Sequence, residues 1–341
     1  MSEGSAEAAN KVASEKPQVI AIVGPTATGK SELADSVAAS LGTSVVSVDS
    51  MQVYRGMDVG TAKVPTERRR VPLLMVDVAD LGEEYSVQRF QHDARVCVDN
   101  ILAEGRQAVL CGGTGLYLNA VIDEMSFPAG ARTSDARVRY EGMARDKGAQ
   151  ALWDMLEARD PESARLIHPN NVRRVVRALE LADDGVSYAR QSAGLHDHVP
   201  HYRAQVWALR VERPVLYERI DRRVDEMFAR GLEQEVRGLV DAGLGNSLTA
   251  LQAIGYKEVL AYLRGEVTRE EAIELVKRNT RRYAKRQLSW FGRDSRVRWL
   301  DMDMMDVDEA RRLVVEAATR EGTTPVAENG TNVEGKGHGT V

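Results

Sequence analysis

The sequence predicts an α/β protein, a mostly parallel sheet flanked by helices and interrupted by a helical insertion. Three observations lead there. Short β-type runs alternate with helical patterns along most of the chain, the arrangement that builds parallel sheets. The first run ends in Gly24-Pro25-Thr26-Ala27-Thr28-Gly29-Lys30-Ser31, which fits G-x-x-x-x-G-K-[ST] at every fixed position. The alternation then stops between about Ala131 and Pro200, where the pattern is helical throughout.

Taken in order, Val19–Val23 is an unbroken apolar run, as expected for a strand buried on both faces. The phosphate-type loop follows it and opens a helical pattern from Ser31 to Leu41, the strand–loop–helix context that gives the match its meaning. These two features make the predicted sheet P-loop NTPase-like. Ser44–Val48 is the second run and delivers Asp49 to a strand end. Strand C-termini share one edge of a parallel sheet, so Asp49 is expected to face phosphates held by the loop. Leu73–Val78 is the third run, followed by a helical stretch from Val87 to Leu102. Ala108–Cys111 is the fourth and leads into Gly112-Gly113-Thr114-Gly115. The insertion reads as helices at Arg137–Arg145, Ala149–Ala158, Pro161–Ile167 and Val172–Ala182, with turn signals between. Val206–Leu209 returns to the sheet, a nearly all-helical region beginning at Arg213–Arg230 runs to about Arg293, and Val297–Leu300 is the last run. The catalytic core thus spans 18–130 and 200–320, with the insertion at 131–199. Residues 1–17 and 321–341 lack periodicity and read as disordered tails.

Composition bounds the rest. The 341 residues are 43% hydrophobic, enough for a large core, yet no apolar run approaches membrane length. The N-terminus resembles neither a signal peptide nor a transit peptide, and Cys97 and Cys111 sit in apolar segments as free thiols, so the cytoplasm is expected. The net charge of −5 conceals a local asymmetry. From Lys277 to Arg298 there are nine Lys or Arg and one acid, and Arg165–Arg177 holds several Arg and a His without an acid. A chain that is acidic overall and basic in patches can still bind a polyanion.

The loop is the most specific chemical signal. Its glycines allow the turn, successive backbone N–H groups point inward, and the helix N-terminus favours an anion. Lys30 would reach the terminal phosphates and Ser31 would ligate Mg²⁺. Asp49 fits two roles equally, a metal ligand or a general base, with a surface N-cap as a third. The Gly112–Gly115 turn allows close backbone approach to a ligand, with Thr114 projecting a hydroxyl, but is equally an ordinary strand-to-helix turn. Lys277, Arg281 and Lys285 recur every fourth residue beside the row Arg278, Arg282 and Arg286, giving one cationic helix face with Ile273, Val276, Ala284 and Leu288 opposite. With no acids in the run to pair with, that face is expected to meet nucleic-acid phosphates, with a merely solvated charged face as the alternative. His168-Pro169-Asn170-Asn171 precedes a second basic cluster, Arg173, Arg174 and Arg177. The His residues at 196, 198 and 201 fit no common metal spacing.

Further stretches carry a resemblance: SVDSMQVYRGMDVGTAK from Ser47, CGGTGLYLNA from Cys111, HPNNVRRVVRALE from His168, RRVDEMFARGLEQEV from Arg222, LQAIGYKE from Leu251 and AKRQLSWFGRD from Ala284. With the loop, and in this order, they resemble the tRNA dimethylallyltransferases (tRNA isopentenyltransferases) from about residue 18 to 300. The resemblance implies transfer of a dimethylallyl group from its diphosphate to the exocyclic amine of the adenosine 3′ to a tRNA anticodon. It implies that Gly24, Pro25, Thr26, Ala27, Thr28, Gly29, Lys30 and Ser31 hold diphosphate, with Mg²⁺ as cofactor. It implies Asp49 as base, Thr114 at the reacting centre and Arg223 on the diphosphate. Contacts to the tRNA anticodon stem-loop are implied for Asp49, Ser50, Met51, Gln52, Arg139, Arg173, Arg174 and Arg177, and for the segment from Gln252 through Gly255, Tyr256 and Lys257. Arg281, Arg282 and Lys285 extend that surface. The helical insertion corresponds to the family's mobile clamp on the stem-loop, and a monomer is expected. One departure is Pro72-Leu73-Leu74-Met75, where family members often carry a His soon after the Pro.

Overall fold

A computed structural model of the chain describes residues 18–127, 134–194, 198–242, residue 250 and residues 253–320. The expected tails, the first residues of the insertion up to 133, and Gln252 lie outside the described residues. The strands are β1 (Val19–Val23), β2 (Val45–Ser47), β3 (Leu73–Leu74), β4 (Ala108–Gly112), β5 (Ala204–Arg210) and β6 (Val297–Asp301). They form one sheet in the order β3-β2-β4-β1-β5-β6, and each neighbouring pair is parallel.

Helices cover both faces, which is why the strands read as continuous apolar runs. In β1, Ile20 and Ile22 face one layer, formed by α1 (Lys30–Ser40) and a helix near the C-terminus. Val19, Ala21 and Val23 face the other, larger layer. All five are fully buried, and burying each of the Val and Ile side chains is worth roughly 1.5–3 kcal/mol. The larger layer includes α2 (Val87–Ala103), capped by Ser86, and α3 (Gly115–Ile122). It also receives α8 (Arg213–Ala229), α9 (Leu232–Asp241), α10 (Tyr256–Leu263) and the long α11 (Arg269–Phe291), which a Thr268–Glu271 capping box starts.

The third strand is shorter than the run from Leu73 to Val78 suggests. Met75 and Asp77 adopt left-handed φ of 61° and 56°, which end the extended conformation after Leu74. Asp77 instead meets the buried ammonium of Lys63 at 2.6 Å.

Between β4 and β5 the chain builds α4 (Asp135–Arg159), α5 (Pro161–Leu166), α6 (Val172–Asp183) and α7 (Tyr188–Gly194). Gly148, with φ 86° and ψ 164°, breaks α4, as the two separate helical patterns in the sequence suggested. These helices enclose a hydrophobic cluster of their own, which includes Tyr140, Leu152, Leu156, Val175 and Leu179. The last strand leads to α12 (Val307–Thr319), the helix that packs beside α1.

Candidate active site

The site is assembled where strand C-termini meet α8 and α11. β1 runs directly into the phosphate loop. Gly24 has a φ of +139°, and a Cβ there would lie 2.8 Å from the carbonyl oxygen of Leu209, so only glycine lets the loop cross β5 this closely. Ala27 and Gly29 follow in the left-handed region, with φ of 66° and 89°. Thr28 Oγ1 donates to the Pro25 carbonyl at 2.9 Å and closes the turn from within. Lys30 Nζ donates to the same carbonyl at 3.3 Å.

The electrostatics favour an anion. Burial pushes the Lys30 ammonium below its ordinary pKa; the neighbouring Cys111 raises it and Arg223 lowers it further. Burial likewise lowers Arg223, with Asp49 acting in the opposite direction. Arg223 Nε is buried without a hydrogen-bond partner among the described residues. A desolvated guanidinium with an idle donor costs free energy unless an anion completes it. Two crowded cations facing one carboxylate therefore form an incomplete set that a diphosphate would complete.

Asp49 is half-buried at the end of β2, and its Oδ1 accepts from the Met51 and Gln52 amides at 2.9 and 3.3 Å. Those bonds hold one carboxylate oxygen in place. Thr114 sits alongside: its Oγ1 accepts from the Ser50 amide at 3.2 Å and lies 3.4 Å from the Ser50 hydroxyl. Gly112 has no room for a side chain, because a Cβ would lie 2.4 Å from the Val48 carbonyl oxygen. The Gly112–Gly115 segment is thus a close-approach turn that brings Thr114 to Asp49.

One cleft of about 510 Å³ joins the phosphate loop, Asp49 and Arg223, and Thr114 meets it through Ser50 without lining it. Lys30, Ser31, Asp49, Ser50, Met51, Gln52 and Arg223 line it, together with Lys257, Arg282, Tyr283, Arg286 and Gln287. Arg173 from α6 also reaches it, so the helical unit contributes directly to the cleft. Ser31 is exposed at the start of α1. No group of three His, Cys, Asp or Glu side chains is arranged to hold a metal ion among the described residues. A Ser hydroxyl and one or two carboxylates fit Mg²⁺, which takes its remaining ligands from phosphate and water.

Three expectations change. The Lys277–Arg286 face is partly neutralised by α8, because Lys277 pairs with Asp225 at 2.8 Å and Arg281 with Asp221 at 2.5 Å. The acids come from another helix and are invisible in the local run. Of the expected trio only Arg282 and Lys285 are exposed and pair with no acid among the described residues. Second, Gly255 and Tyr256 are buried and present no side chain to a ligand. The Tyr256 hydroxyl donates to Glu235 at 2.6 Å, and Glu235 also accepts from the amides of Asp58, Val59 and Gly60, so this pair shapes the loop after Gln52. Third, the Thr26 amide does not point inward to a phosphate but donates to Gln287 Oε1 at 3.1 Å.

The other predicted contacts are spread over the helical unit. Arg139 is exposed, lies over the Tyr140 ring and pairs with Asp183 at 2.9 Å. Arg173 and Arg174 are exposed on the first turn of α6, while Arg177 is half-buried with Glu180 at 3.9 Å. Gln287 and Tyr283 are functional candidates that the sequence reading overlooked. The overlooked signal was a polar residue, Gln287, set among Tyr283, Ala284 and Trp290 on the inner side of a basic helix. Burial first, with Asp49 nearby, pushes the Tyr283 phenol up to about 12, so it is neutral near pH 7.

Sheet, loop and cleft define a phosphate-loop α/β protein whose anion site adjoins a large polar cleft. A family model described as IPP transferase matches residues 52–294, and one described as isopentenyl transferase matches residues 17–71. A tRNA dimethylallyltransferase of Desulforudis audaxviator is 45% identical over 84% of this chain and 93% of its own length. That of Moorella thermoacetica is 45% identical over 90% of this chain and 97% of its own. The solved tRNA isopentenylpyrophosphate transferase of Bacillus halodurans superposes with a TM-score of 0.65 at 42% identity, covering 89% of this chain and 97% of that one. A eukaryotic dimethylallyltransferase solved acting on tRNA gives 0.72 at 28% identity, covering 87% and 77%. The chain belongs to the IPP transferase family and is a prenyltransferase.

Proposed function

We propose that the protein transfers a dimethylallyl group from dimethylallyl diphosphate to the exocyclic N6 amine of the adenosine 3′-adjacent to the anticodon in tRNA. The products are N6-isopentenyladenosine and diphosphate. The observation that carries this is the single cleft in which two desolvated cations, Lys30 and Arg223, face Asp49. A phosphoryl-transfer enzyme and a prenyltransferase both need the cations. Family membership favours the second, with diphosphate as leaving group.

The allylic C1–O bond breaks as the N6–C1 bond forms, and the electron pair leaves with diphosphate. Lys30, Arg223 and the amides of the phosphate loop left free by Gln287 stabilise that developing charge, which is most of the catalytic task. Asp49, its Oδ1 fixed by two amides, orients the amine and accepts its proton. Thr114 sits beside this pair as a hydroxyl partner to the reacting centre. Ser31 and the diphosphate oxygens would hold Mg²⁺, which supplies further neutralisation of the leaving group when bound.

The target base must leave its stack to enter the cleft. Ser50, Met51, Gln52 and Lys257 line the path from one side, and Arg173 from the helical unit lines it from the other. Arg139, Arg174, Arg177 and Lys285 fit phosphates of the anticodon stem-loop farther out, and Arg282, which lines the cleft, fits one beside it. A monomer acting in the cytoplasm fits this reading. No helix among the described residues is long and apolar enough to cross a membrane.

The test is incubation of the protein with Mg²⁺, dimethylallyl diphosphate and unmodified tRNA, followed by mass analysis of the nucleosides. N6-isopentenyladenosine and stoichiometric diphosphate are expected, without tRNA-stimulated ATP hydrolysis. Phosphoryl transfer from ATP to a small acceptor, with no prenylated nucleoside, would overturn the reading.

A further inference from the structure

We propose that Gln287 is a positioning residue for prenyl transfer, holding the phosphate loop and the Gly113–Thr114 turn at the spacing the reaction requires. The residue is 5% exposed, and besides a hydrogen bond with the Tyr283 phenol on its own helix its side chain makes two longer-range hydrogen bonds in opposite senses. Oε1 accepts from the Thr26 amide at 3.1 Å, and Nε2 donates to the Gly113 carbonyl at 2.9 Å. One planar amide therefore spans two segments that meet only in the fold. On one side lies the diphosphate cradle. On the other, the next residue is Thr114, whose hydroxyl holds Ser50 next to Asp49.

The choice of glutamine follows from the chemistry. A primary amide is at once donor and acceptor, and its two ends are fixed relative to each other. A carboxylate would face the Gly113 carbonyl with a lone pair, and a thioether would leave both groups unpaired. The fit is reciprocal, because a Cβ on Gly113 would fall 2.1 Å from Gln287 Nε2. Gln287 is not needed merely to attach α11. One turn further on, Trp290 already fills the space over Gly115, where a Cβ would lie 2.1 Å from the indole. What Gln287 adds is register between leaving-group site and acceptor site, and misplacement of reacting groups by about 1 Å can cost on the order of 10²-fold in rate.

The test rests on the prenyl-transfer reading and is built so that the two can fail separately. Full-length Gln287→Met and Gln287→Glu are compared with wild type for kcat and KM with tRNA and dimethylallyl diphosphate, for calorimetric binding of inorganic pyrophosphate, and for thermal melting by circular dichroism. If wild type transfers nothing, the functional reading fails, while the pyrophosphate arm still reports on Gln287. Gln287→Met is expected to lower kcat roughly 10- to 100-fold and to weaken pyrophosphate binding, with the KM for tRNA little changed. Gln287→Glu distinguishes register from simple packing. Ionised, it keeps the Thr26 bond and repels Gly113; protonated, it donates to Gly113. Burial and the nearby Asp49 raise a carboxyl pKa while Lys30, Arg223 and Arg286 in the same cleft lower it, so the ratio of its kcat to wild type should climb as pH is lowered from about 8 to about 5. The Gln287→Met ratio should stay flat over that range. Wild-type kcat and pyrophosphate affinity in Gln287→Met, or a flat ratio for Gln287→Glu, would overturn the proposal. Should Gln287→Met fail to fold, the pH ratio of Gln287→Glu decides alone.

Discussion

At the scale of single residues, Arg223 sets folding against binding. Its Nε is buried without a partner among the described residues, and burial lowers its pKa, so the ligand-free protein carries the cost of an incomplete cation. Arg223→Met keeps the length of the stem and removes the charge. The melting temperature of the ligand-free variant should hold or rise. Its affinity for diphosphate should drop roughly 10- to 100-fold, because hydrogen bonds to charged groups are worth about 1.5–3 kcal/mol. Calorimetry with pyrophosphate and a thermal melt settle both halves. Asp49 is the complementary case. Removing a general base costs about 10²–10⁴-fold in turnover, so Asp49→Ala should lose kcat by that order while still binding pyrophosphate. Loss of pyrophosphate affinity that excess Mg²⁺ restores would instead make Asp49 chiefly a metal ligand.

At the scale of elements, α11 carries two functions on two sides. Its inner side places Tyr283, Gln287 and Trp290 against the Gly113–Gly115 turn and the cleft. Lys277 and Arg281 bind it to α8 through Asp225 and Asp221, while Lys285 and Arg282, the latter also lining the cleft, are exposed and pair with no acid among the described residues. These four of the face's six cations therefore separate by role. Arg281→Ala breaks a half-buried ion pair and should lower the melting temperature with little effect on salt dependence. Arg282→Ala with Lys285→Ala should leave melting unchanged and weaken tRNA binding. Removing one cation from a tRNA phosphate should flatten the log–log salt slope by about 0.7–0.9. Titration with an anticodon stem-loop at several salt concentrations separates the two variants. Equal salt slopes for both would mean that Arg282 and Lys285 touch no phosphate.

At the scale of the whole molecule, the segments that lead into and out of the helical unit are fastened to each other among the described residues. Asp123 bridges Pro200, and the Glu124 amide donates to the Val199 carbonyl at 2.7 Å. Arg296, just past α11, clasps this junction, reaching Asp123 at 2.6 Å and Asp294 at 2.8 Å. Burial works against the Asp294 carboxylate, but the hydrogen bonds and charge of Arg296 hold its pKa below the ordinary value. A depressed carboxyl stabilises the fold above its unfolded pKa, near 4, and that contribution disappears as pH falls through the folded value. Arg296→Met leaves the buried carboxylates of Asp123 and Asp294 with His198 as their shared neighbour in place of a guanidinium and should cost about 3–5 kcal/mol at neutral pH. Its deficit against wild type should shrink on acidification, and denaturant unfolding at several pH values measures this. A constant deficit would show that Arg296 acts through packing alone.

The sequence by itself determined the parts whose physics is local. Unbroken apolar runs such as Val19–Val23 specify strands covered on both sides, and Gly24 to Ser31 specifies an anion-binding turn through backbone geometry. The same holds for Asp49 at a strand end and for the helical periods either side of Gly148. Three-dimensional packing decided what depends on residues far apart in the chain. It paired Arg281 with Asp221 across sixty positions and enclosed Tyr256 on Glu235. It also set Gln287 between Thr26 and Gly113, 261 and 174 residues away. Periodicity records which side of a helix is apolar, but not which neighbour covers it. Charge and hydrogen-bond pairing are short-range, so the same basic run becomes structural strut or ligand surface according to the acids that folding brings beside it.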